Sequence, residues 1–151
     1  MAREDFNCVH RLRVRWAEVD MQKVVFNAHY LTYIDTAVAE YWRAAGIPYP
    51  EGYVERYGAD MFLRKATVEY LGSAHYDEDL AVYCRVPKLG RSSMNLSFEI
   101  WREGPQPSAS PLITADLVYV NADLKTLKGA PLPEELRARV LAYERVAPEG
   151  G

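Results

Sequence analysis

The longest run of apolar residues at helical spacing predicts one long helix that Asn27 caps and that extends to Ala45. Apolar side chains recur there every three or four residues, and the polar residues form only a narrow strip. Asparagine is favoured at helix N-termini, while Gly46 and Pro48 end the pattern. Because the apolar arc is so broad, the helix must be enclosed by something larger than one neighbouring helix.

Alternating apolar and polar residues predict five strands. One strand precedes the helix at residues 8–19 and leads directly to Asp20. The other four follow at residues 61–71, 79–87, 92–102 and 112–121. Turn-forming residues separate these four strands, which is typical of neighbouring antiparallel strands.

The end of the chain predicts a second, shorter helix from Pro133 to about Glu144, followed by a frayed tail at residues 147–151. The order of elements is therefore strand, long helix, four strands and short helix. We predict an α+β fold in which one five-stranded antiparallel sheet wraps around one long central helix.

Composition limits the classes of protein to which this chain can belong. Of its 151 residues, 49% are apolar and 26% are charged, which is typical of a globular domain with its own core. A formal net charge of -3 argues against a nucleic-acid partner, and no apolar run is long enough to span a bilayer. We expect one domain over residues 1–151, with an ordered core at about residues 6–146. Its expected location is the cytoplasm, with no nucleic-acid or membrane partner.

The residues that most often bind metals are not arranged for it. Cys8 and Cys84 lie far apart in the sequence, and the three histidines show no metal-ligand spacing with the acidic residues. We expect two reduced, packed thiols and no metal site.

The loop between the first strand and the long helix is the best candidate for chemistry. Asp20 opens this loop, and its apolar residues are Met21, Val24, Val25 and Phe26. Aspartate at a strand end commonly stabilises a turn, which is the simpler interpretation from the residues alone. A carboxylate beside a helix N-terminus can also act as a base or nucleophile, because the unpaired N–H groups there stabilise a developing oxyanion.

Six short motifs together resemble one enzyme family. They lie at residues 15–20, 24–30 with Tyr33, 68–70, 76–80, 89–93 and 131–133, and so extend over nearly the whole chain. These motifs resemble the hotdog-fold acyl-CoA thioesterases of the 4-hydroxybenzoyl-CoA thioesterase type. The resemblance implies a hotdog fold, a homodimer joined edge to edge or a homotetramer, and active sites at the dimer interface. It further implies hydrolysis of acyl-CoA to free acid and coenzyme A, with no metal and no cofactor beyond the coenzyme A of the substrate.

The resemblance also implies roles for particular residues. Asp20 is the expected nucleophile or general base, and the backbone N–H of Asn27 is expected to polarise the thioester carbonyl. His29, in the first helical turn, either hydrogen-bonds the substrate or lies at the mouth of the cleft. The expected substrate-binding residues are Val25, Phe26, Tyr30, Gly90, Arg91, Ser92 and Ser93.

One residue departs from the family pattern. Lys23 stands where the family usually has glycine, which adopts backbone conformations that other residues avoid. Lys23 is either a solvated residue in a slightly different turn, or it brings a positive charge toward Asp20 or the substrate.

Two other functions share this fold. A non-catalytic acyl-CoA-binding hotdog domain would keep the cleft and lack the loop carboxylate. A hotdog dehydratase would need an Asp and His pair with a spacing that Asp20 and His29 do not match. Aromatic and aliphatic acyl groups, carried by coenzyme A or by an acyl-carrier protein, are all compatible with the sequence.

Overall fold

The computed structural model describes residues 2–151. Its strands are β1 (Cys8–Arg13), β2 (Ala59–Tyr70), β3 (Asp79–Leu89), β4 (Ser93–Arg102) and β5 (Ile113–Asp123). Its α-helices are α1 (Asn27–Ala45), α2 (Tyr53–Tyr57) and α3 (Glu134–Tyr143), and short 3-10 turns cover Arg3–Asp5 and Trp16–Glu18. Within residues 2–151, none of the helices has the length and apolar character needed to cross a membrane.

All five strands pair antiparallel in one sheet, in the order β1-β3-β4-β5-β2. β1 and β2 therefore form the two edges. α1 packs on one face of this sheet, and its buried residues Ile34 and Tyr41 share one core with Leu80 and Val82 of β3. The predicted combination of a five-stranded antiparallel sheet and one long helix is confirmed.

The strand before α1 is shorter than predicted. β1 ends at Arg13, and Trp16–Glu18 is a 3-10 turn where the alternation predicts strand. The Glu18 side chain accepts the backbone N–H of Arg15 at 2.8 Å, and a local bond of this kind competes with strand pairing. As a result, Trp16 is 75% exposed although it fits the apolar alternation.

The start of α1 also differs from the prediction. Asn27 is the first helical residue, and Phe26 is the N-cap, with no side-chain capping bond. The Phe26 N–H donates to the Glu18 carbonyl, and the Phe26 carbonyl accepts the His29 N–H, both at 2.9 Å. These bonds hold Phe26 in its extended conformation, so the predicted cap at Asn27 is wrong. The predicted end at Gly46 is confirmed by its left-handed φ of 74°.

β2 is a long edge strand, and in the described sheet only β5 pairs with it. A bulge between Leu63 and Lys65 shifts its register. Its residues from Phe62 onward are exposed or half-buried, and Phe62, Leu63 and Tyr70 each have about half of their surface exposed. An edge with this length and this many apolar side chains is a template for pairing with another chain.

The last residues contact the sheet where the sequence predicts a frayed tail. The Glu149 N–H donates to the Pro87 carbonyl, and the Glu149 carbonyl accepts the Leu89 N–H, both at 2.9 Å. A register shift between Arg85 and Lys88 interrupts the pairing of β3 with β4. On the other edge of β3, pairing with β1 extends only to Cys84, so the backbone at residues 87–89 is available to the chain end.

Candidate active site

Residues 18–26 fold into a tight hairpin between the 3-10 turn and α1. Val19 and Val25 form an antiparallel bridge, and the Asp20 N–H donates to the Val24 carbonyl at 2.9 Å. Asp20 therefore lies at the tip of a hairpin whose position is fixed by backbone hydrogen bonds.

The Asp20 carboxylate has a defined position. Its Oδ1 accepts the backbone N–H of Gln22 at 2.7 Å, which is the turn-stabilising role that aspartate commonly has. The residue is nevertheless only half-buried. The structure thus holds this carboxylate in one orientation and leaves part of it accessible.

The first turn of α1 presents unpaired N–H groups. The N–H groups of Phe26 and His29 already have backbone acceptors. The N–H groups of Asn27 and Ala28 have no protein acceptor among residues 2–151, as is usual at a helix start. Both lie at the positive end of a 19-residue helix, so they form a site suited to an oxyanion.

The hairpin brings Asp20 toward this helix end. Asp20 pairs with Val24, which is only three residues before Asn27. Three residues span no more than about 11 Å even when fully extended. The carboxylate and the oxyanion site therefore belong to one short segment of the fold.

Lys23 adopts the backbone conformation for which glycine is suited. Its φ is 66°, and its N–H donates to the Asp20 carbonyl at 2.9 Å. Left-handed conformations of this kind are unfavourable for residues with a Cβ. The turn therefore keeps a glycine-like geometry, and the Lys23 side chain is exposed.

His29 and Phe26 flank the start of the helix. Their rings are in edge-to-face contact, with centroids 6.0 Å apart. Phe26 is 46% exposed and His29 is half-buried. Both side chains are thus at the surface beside the N–H groups of Asn27 and Ala28.

Val25 and Tyr30 lie deeper than Phe26. They are 3% and 2% exposed. The Val25 N–H donates to the Ala74 carbonyl, and the Ala74 N–H donates to the Tyr30 hydroxyl, both at 2.9 Å. Val25 and Tyr30 are therefore part of the buried core next to the hairpin tip.

The turn at residues 89–93 lies at the opposite end of the sheet from Asp20. The segment leading to Asp20 is tied to the start of β3, because the Val14 N–H donates to the Glu78 carbonyl at 2.9 Å. β3 then runs for 11 residues before the turn, which corresponds to roughly 35 Å. One chain therefore does not bring this turn together with Asp20.

The 89–93 turn itself is tightly constrained. The Gly90 N–H donates to the Ser93 carbonyl at 2.7 Å, and a Cβ at Gly90 would clash with the Ser93 hydroxyl. The Arg137 guanidinium donates to the Gly90 carbonyl. Arg91 is exposed and Ser92 is half-buried, so the turn presents a guanidinium and a hydroxyl on a rigid backbone.

A cleft of about 320 Å³ opens between α1, residues 49–50 and strands β2 and β5. Its lining is mainly apolar and aromatic and includes Val38, Trp42, Tyr49, Met61 and Tyr119. Burial raises the pKa of the Tyr119 hydroxyl to about 12, so this group stays protonated at neutral pH. The cleft can hold an apolar group.

Comparison with known protein families identifies the superfamily to which this chain is related. Residues 14–140 match the thioesterase-like superfamily. The chain belongs to this superfamily. The match includes the Asp20 hairpin, α1 and most of the sheet.

A curated relative of this superfamily member is a putative esterase from Aquifex aeolicus (strain VF5). It is 28% identical over 95 residues, which cover 63% of this chain and 73% of the relative.

Solved structures show that this superfamily member has the hotdog fold. A 1,4-dihydroxy-2-naphthoyl-CoA thioesterase from Synechocystis superposes with a TM-score of 0.77 at 20% identity, covering 87% of this chain and 93% of that chain. A Staphylococcus aureus protein solved in complex with CoA superposes with a TM-score of 0.80 at 15% identity, covering 93% and 85%. The hotdog fold expected from the sequence is confirmed.

One buried carboxylate of this superfamily member, at the start of the Asp20 hairpin, was not among the predicted site residues. Glu18 is only 7% exposed. One of its carboxylate oxygens accepts the Tyr33 hydroxyl at 2.8 Å, and the other accepts the Arg15 guanidinium. The spacing of Arg15 and Glu18 across a three-residue turn was the available signal, whereas the bond from Tyr33 joins residues that are remote in sequence.

The surroundings of Glu18 favour its charged form. Burial alone would raise the pKa of the Glu18 carboxyl, but hydrogen bonds from Arg15 and Tyr33 outweigh burial and hold this pKa below its ordinary value. Burial and the bond to Glu18 raise the pKa of the Tyr33 hydroxyl. The pair is therefore a carboxylate and a neutral phenol at neutral pH.

Proposed function

We propose that this protein is an acyl-CoA thioesterase of the 4-hydroxybenzoyl-CoA thioesterase type. It hydrolyses the thioester of a small-molecule acyl-CoA to the free acid and coenzyme A. The observation that carries this proposal is the Asp20 carboxylate, fixed at the tip of the hairpin that leads directly to the unpaired N–H groups of Asn27 and Ala28. Membership of the thioesterase-like superfamily supports the same conclusion.

The proposed chemistry uses two parts of the site. The Asn27 N–H, with the helix dipole behind it, binds the thioester oxygen and stabilises the negative charge that develops on it. Asp20 either takes a proton from the attacking water or attacks the carbonyl itself and forms an anhydride that water then hydrolyses. In both routes coenzyme A leaves as the thiol, and the reaction needs no metal or additional cofactor.

The proposed acyl site is the cleft along α1. Asp35 at its rim follows Asn27 by eight residues, a helical rise of about 12 Å. An acyl group whose carbonyl lies at the helix start can therefore extend into the aromatic lining formed by Trp42, Tyr49 and Tyr119.

We further propose a homodimer that forms when the β2 edges of two copies pair antiparallel. Leu63 and Tyr70 are half exposed at this edge, and pairing would bury them. Pairing centred on Thr67 would set Lys65 opposite Glu69 of the second copy, and such opposite charges stabilise paired strands. Two such dimers can associate further as a tetramer.

Antiparallel pairing of two copies would also complete the site. It inverts the second sheet, so the 89–93 turn of one copy reaches the end of the joined sheet where the other copy holds Asp20. Arg91 and Ser92 on that turn are suited to the phosphates of coenzyme A. The Staphylococcus aureus structure in complex with CoA supports a CoA-containing substrate.

The deciding experiment is a thiol-release assay over short, long and aromatic acyl-CoAs, with the wild type and Asp20→Asn. The asparagine Oδ1 can still accept the Gln22 N–H, so the variant is expected to fold. Its turnover is expected to fall by about 10²–10⁴-fold, because a positioned acid–base group typically contributes this much. Circular dichroism and the thermal midpoint serve as the folding control.

Two outcomes would contradict this proposal. Retained turnover by folded Asp20→Asn would remove Asp20 from the mechanism. If the wild type hydrolyses no acyl-CoA but binds coenzyme A in calorimetry, the non-catalytic acyl-CoA-binding function replaces the enzyme.

A further inference from the structure

Glu18 connects three parts of the chain around the Asp20 hairpin. Its side chain accepts the Arg15 N–H and the Tyr33 hydroxyl, both at 2.8 Å. Its main-chain carbonyl accepts the Phe26 N–H at 2.9 Å. One residue therefore fixes the start of the hairpin, its end and the second turn of α1.

A second set of contacts holds the opposite side of the same hairpin. Tyr33 is in edge-to-face contact with Tyr30, with ring centroids 6.0 Å apart. The Tyr30 hydroxyl accepts the Ala74 N–H, and the Ala74 carbonyl accepts the Val25 N–H. The hairpin is thus tied to Tyr33 through Glu18 at its start and to Ala74 through Val25 near its end, and Tyr30 of α1 contacts both Tyr33 and Ala74.

We propose that Glu18 and Tyr33 are positioning residues, whose hydrogen bond sets the Asp20 hairpin on the start of α1. This proposal rests on the thioesterase function proposed above. The bond acts through the backbone, because Glu18 is two residues before Asp20 and its carbonyl holds Phe26 directly before Asn27. A small displacement of the hairpin changes the separation between the carboxylate and the oxyanion site.

The energetics of the pair favour this role over simple packing. A buried carboxylate is costly unless it is paired and hydrogen-bonded, and an apolar residue could fill the same space without that cost. Unlike an apolar side chain, the carboxylate fixes the relative orientation of two elements, because it accepts hydrogen bonds from the Arg15 backbone and from Tyr33 of α1 at once. Misplacement of catalytic groups by about 1 Å can cost about 10²-fold in rate.

The chain contains a matched pair that serves as a control. The Tyr41 hydroxyl donates to Glu144 at 2.7 Å, and Glu144 is 9% exposed. Tyr41 is on the buried face of the same helix, about two turns beyond Tyr33. This second pair ties α1 to the end of α3 and to β3, and within residues 2–151 it forms no hydrogen bond with the hairpin.

The test compares Tyr33→Phe with Tyr41→Phe. Each variant loses one hydroxyl bonded to a buried carboxylate, so each is expected to lower the thermal midpoint. Only Tyr33→Phe is expected to lower kcat, by about tenfold, with KM within about twofold of the wild type. Glu18→Gln, which can still accept the Tyr33 hydroxyl, is expected to keep more kcat than Glu18→Ala.

Amide hydrogen exchange of the 18–26 peptide provides a readout that does not depend on turnover. Tyr33→Phe is expected to speed exchange in this peptide, whereas Tyr41→Phe leaves it at the wild-type rate. Equal kcat values for the two folded variants, or unchanged exchange in Tyr33→Phe, would overturn the positioning role. A wild type without turnover would refute the thioesterase function instead, and the exchange rates would still decide whether Tyr33 sets the hairpin.

Discussion

Lys23 holds a left-handed backbone, with φ of 66°, in the turn that presents Asp20. Such a conformation costs a residue with a Cβ about 1–2 kcal/mol. The turn is nevertheless closed by the bond from the Lys23 N–H to the Asp20 carbonyl. The geometry of the Asp20 tip is therefore kept at the expense of local strain.

Lys23→Gly is expected to stabilise the protein by up to about 1 kcal/mol. Glycine removes the left-handed penalty, and its greater flexibility in the unfolded chain offsets part of that gain. Urea unfolding measures the difference. Lys23→Met is the control, since it keeps the strain and removes the charge; lower or equal stability of Lys23→Gly relative to Lys23→Met would contradict the strain argument.

Prediction from sequence succeeded only in part at the residue scale. The glycine of the family pattern indicates a left-handed backbone, and Lys23 has one, so the slightly different turn considered for Lys23 is not found. The cap at Asn27 was wrong because the Phe26 N–H finds an acceptor at Glu18, outside the helix. Glu18 was missed because Tyr33, which donates to it, is 15 residues away in sequence.

Among the elements, Glu144 joins the end of α3 to α1 and β3. It accepts the Tyr41 hydroxyl at 2.7 Å and the Val86 N–H at 2.9 Å. Burial raises the pKa of the Glu144 carboxyl above its ordinary value, although these bonds oppose the shift. The folded state therefore favours the neutral carboxyl more than the unfolded chain does, so stability from this residue is complete below its ordinary pKa and is lost as pH rises through the raised pKa.

Glu144→Gln is expected to gain stability relative to the wild type as pH rises from about 4.5. The reason is that glutamine does not titrate and so does not incur the cost of a buried charge. Glu18→Gln should show the opposite trend, because the pKa of Glu18 is lowered: the advantage of the wild type is present above the ordinary pKa and is lost as pH falls through the lowered one. Urea unfolding at several pH values measures both trends, and a stability difference that does not change with pH would contradict them.

Element types were more predictable than element ends. All five strands and the long helix were anticipated because their apolar periods are long and regular. The first strand was predicted too long, since Val14 and Trp16 continue the alternation, while the bond from the Arg15 N–H to the Glu18 side chain competes with strand pairing. The alternation of apolar and polar residues does not reveal such a bond.

At the scale of the whole molecule, the proposed dimer divides the proposed site between two copies. Asp20 and the 89–93 turn lie at opposite ends of one sheet, so neither copy alone presents both to a substrate. The sequence resemblance named candidate residues in both groups, but it could not show that a strand of 11 residues separates them.

A mixing experiment tests this division. Asp20→Asn and Arg91→Glu are each expected to be nearly inactive as homodimers. When the two variants are unfolded together and refolded, the mixed dimers should regain activity, because one of their two sites then contains an intact Asp20 and an intact Arg91 from different chains. Refolded single variants are the control, and an inactive mixture would place both groups of the site in the same chain.

The two cysteines are neighbours on the adjacent strands β1 and β3, and their burial affects how activity can be assayed. Cys8 pairs in register with Cys84, and both are buried. Burial raises the pKa of Cys8 to about 11 and that of Cys84 well above its ordinary value, so both remain unreactive thiols at neutral pH. Since the chain has only these two cysteines, a chromogenic thiol reagent in a turnover assay would report released coenzyme A alone. The same reagent would register the protein itself only after unfolding.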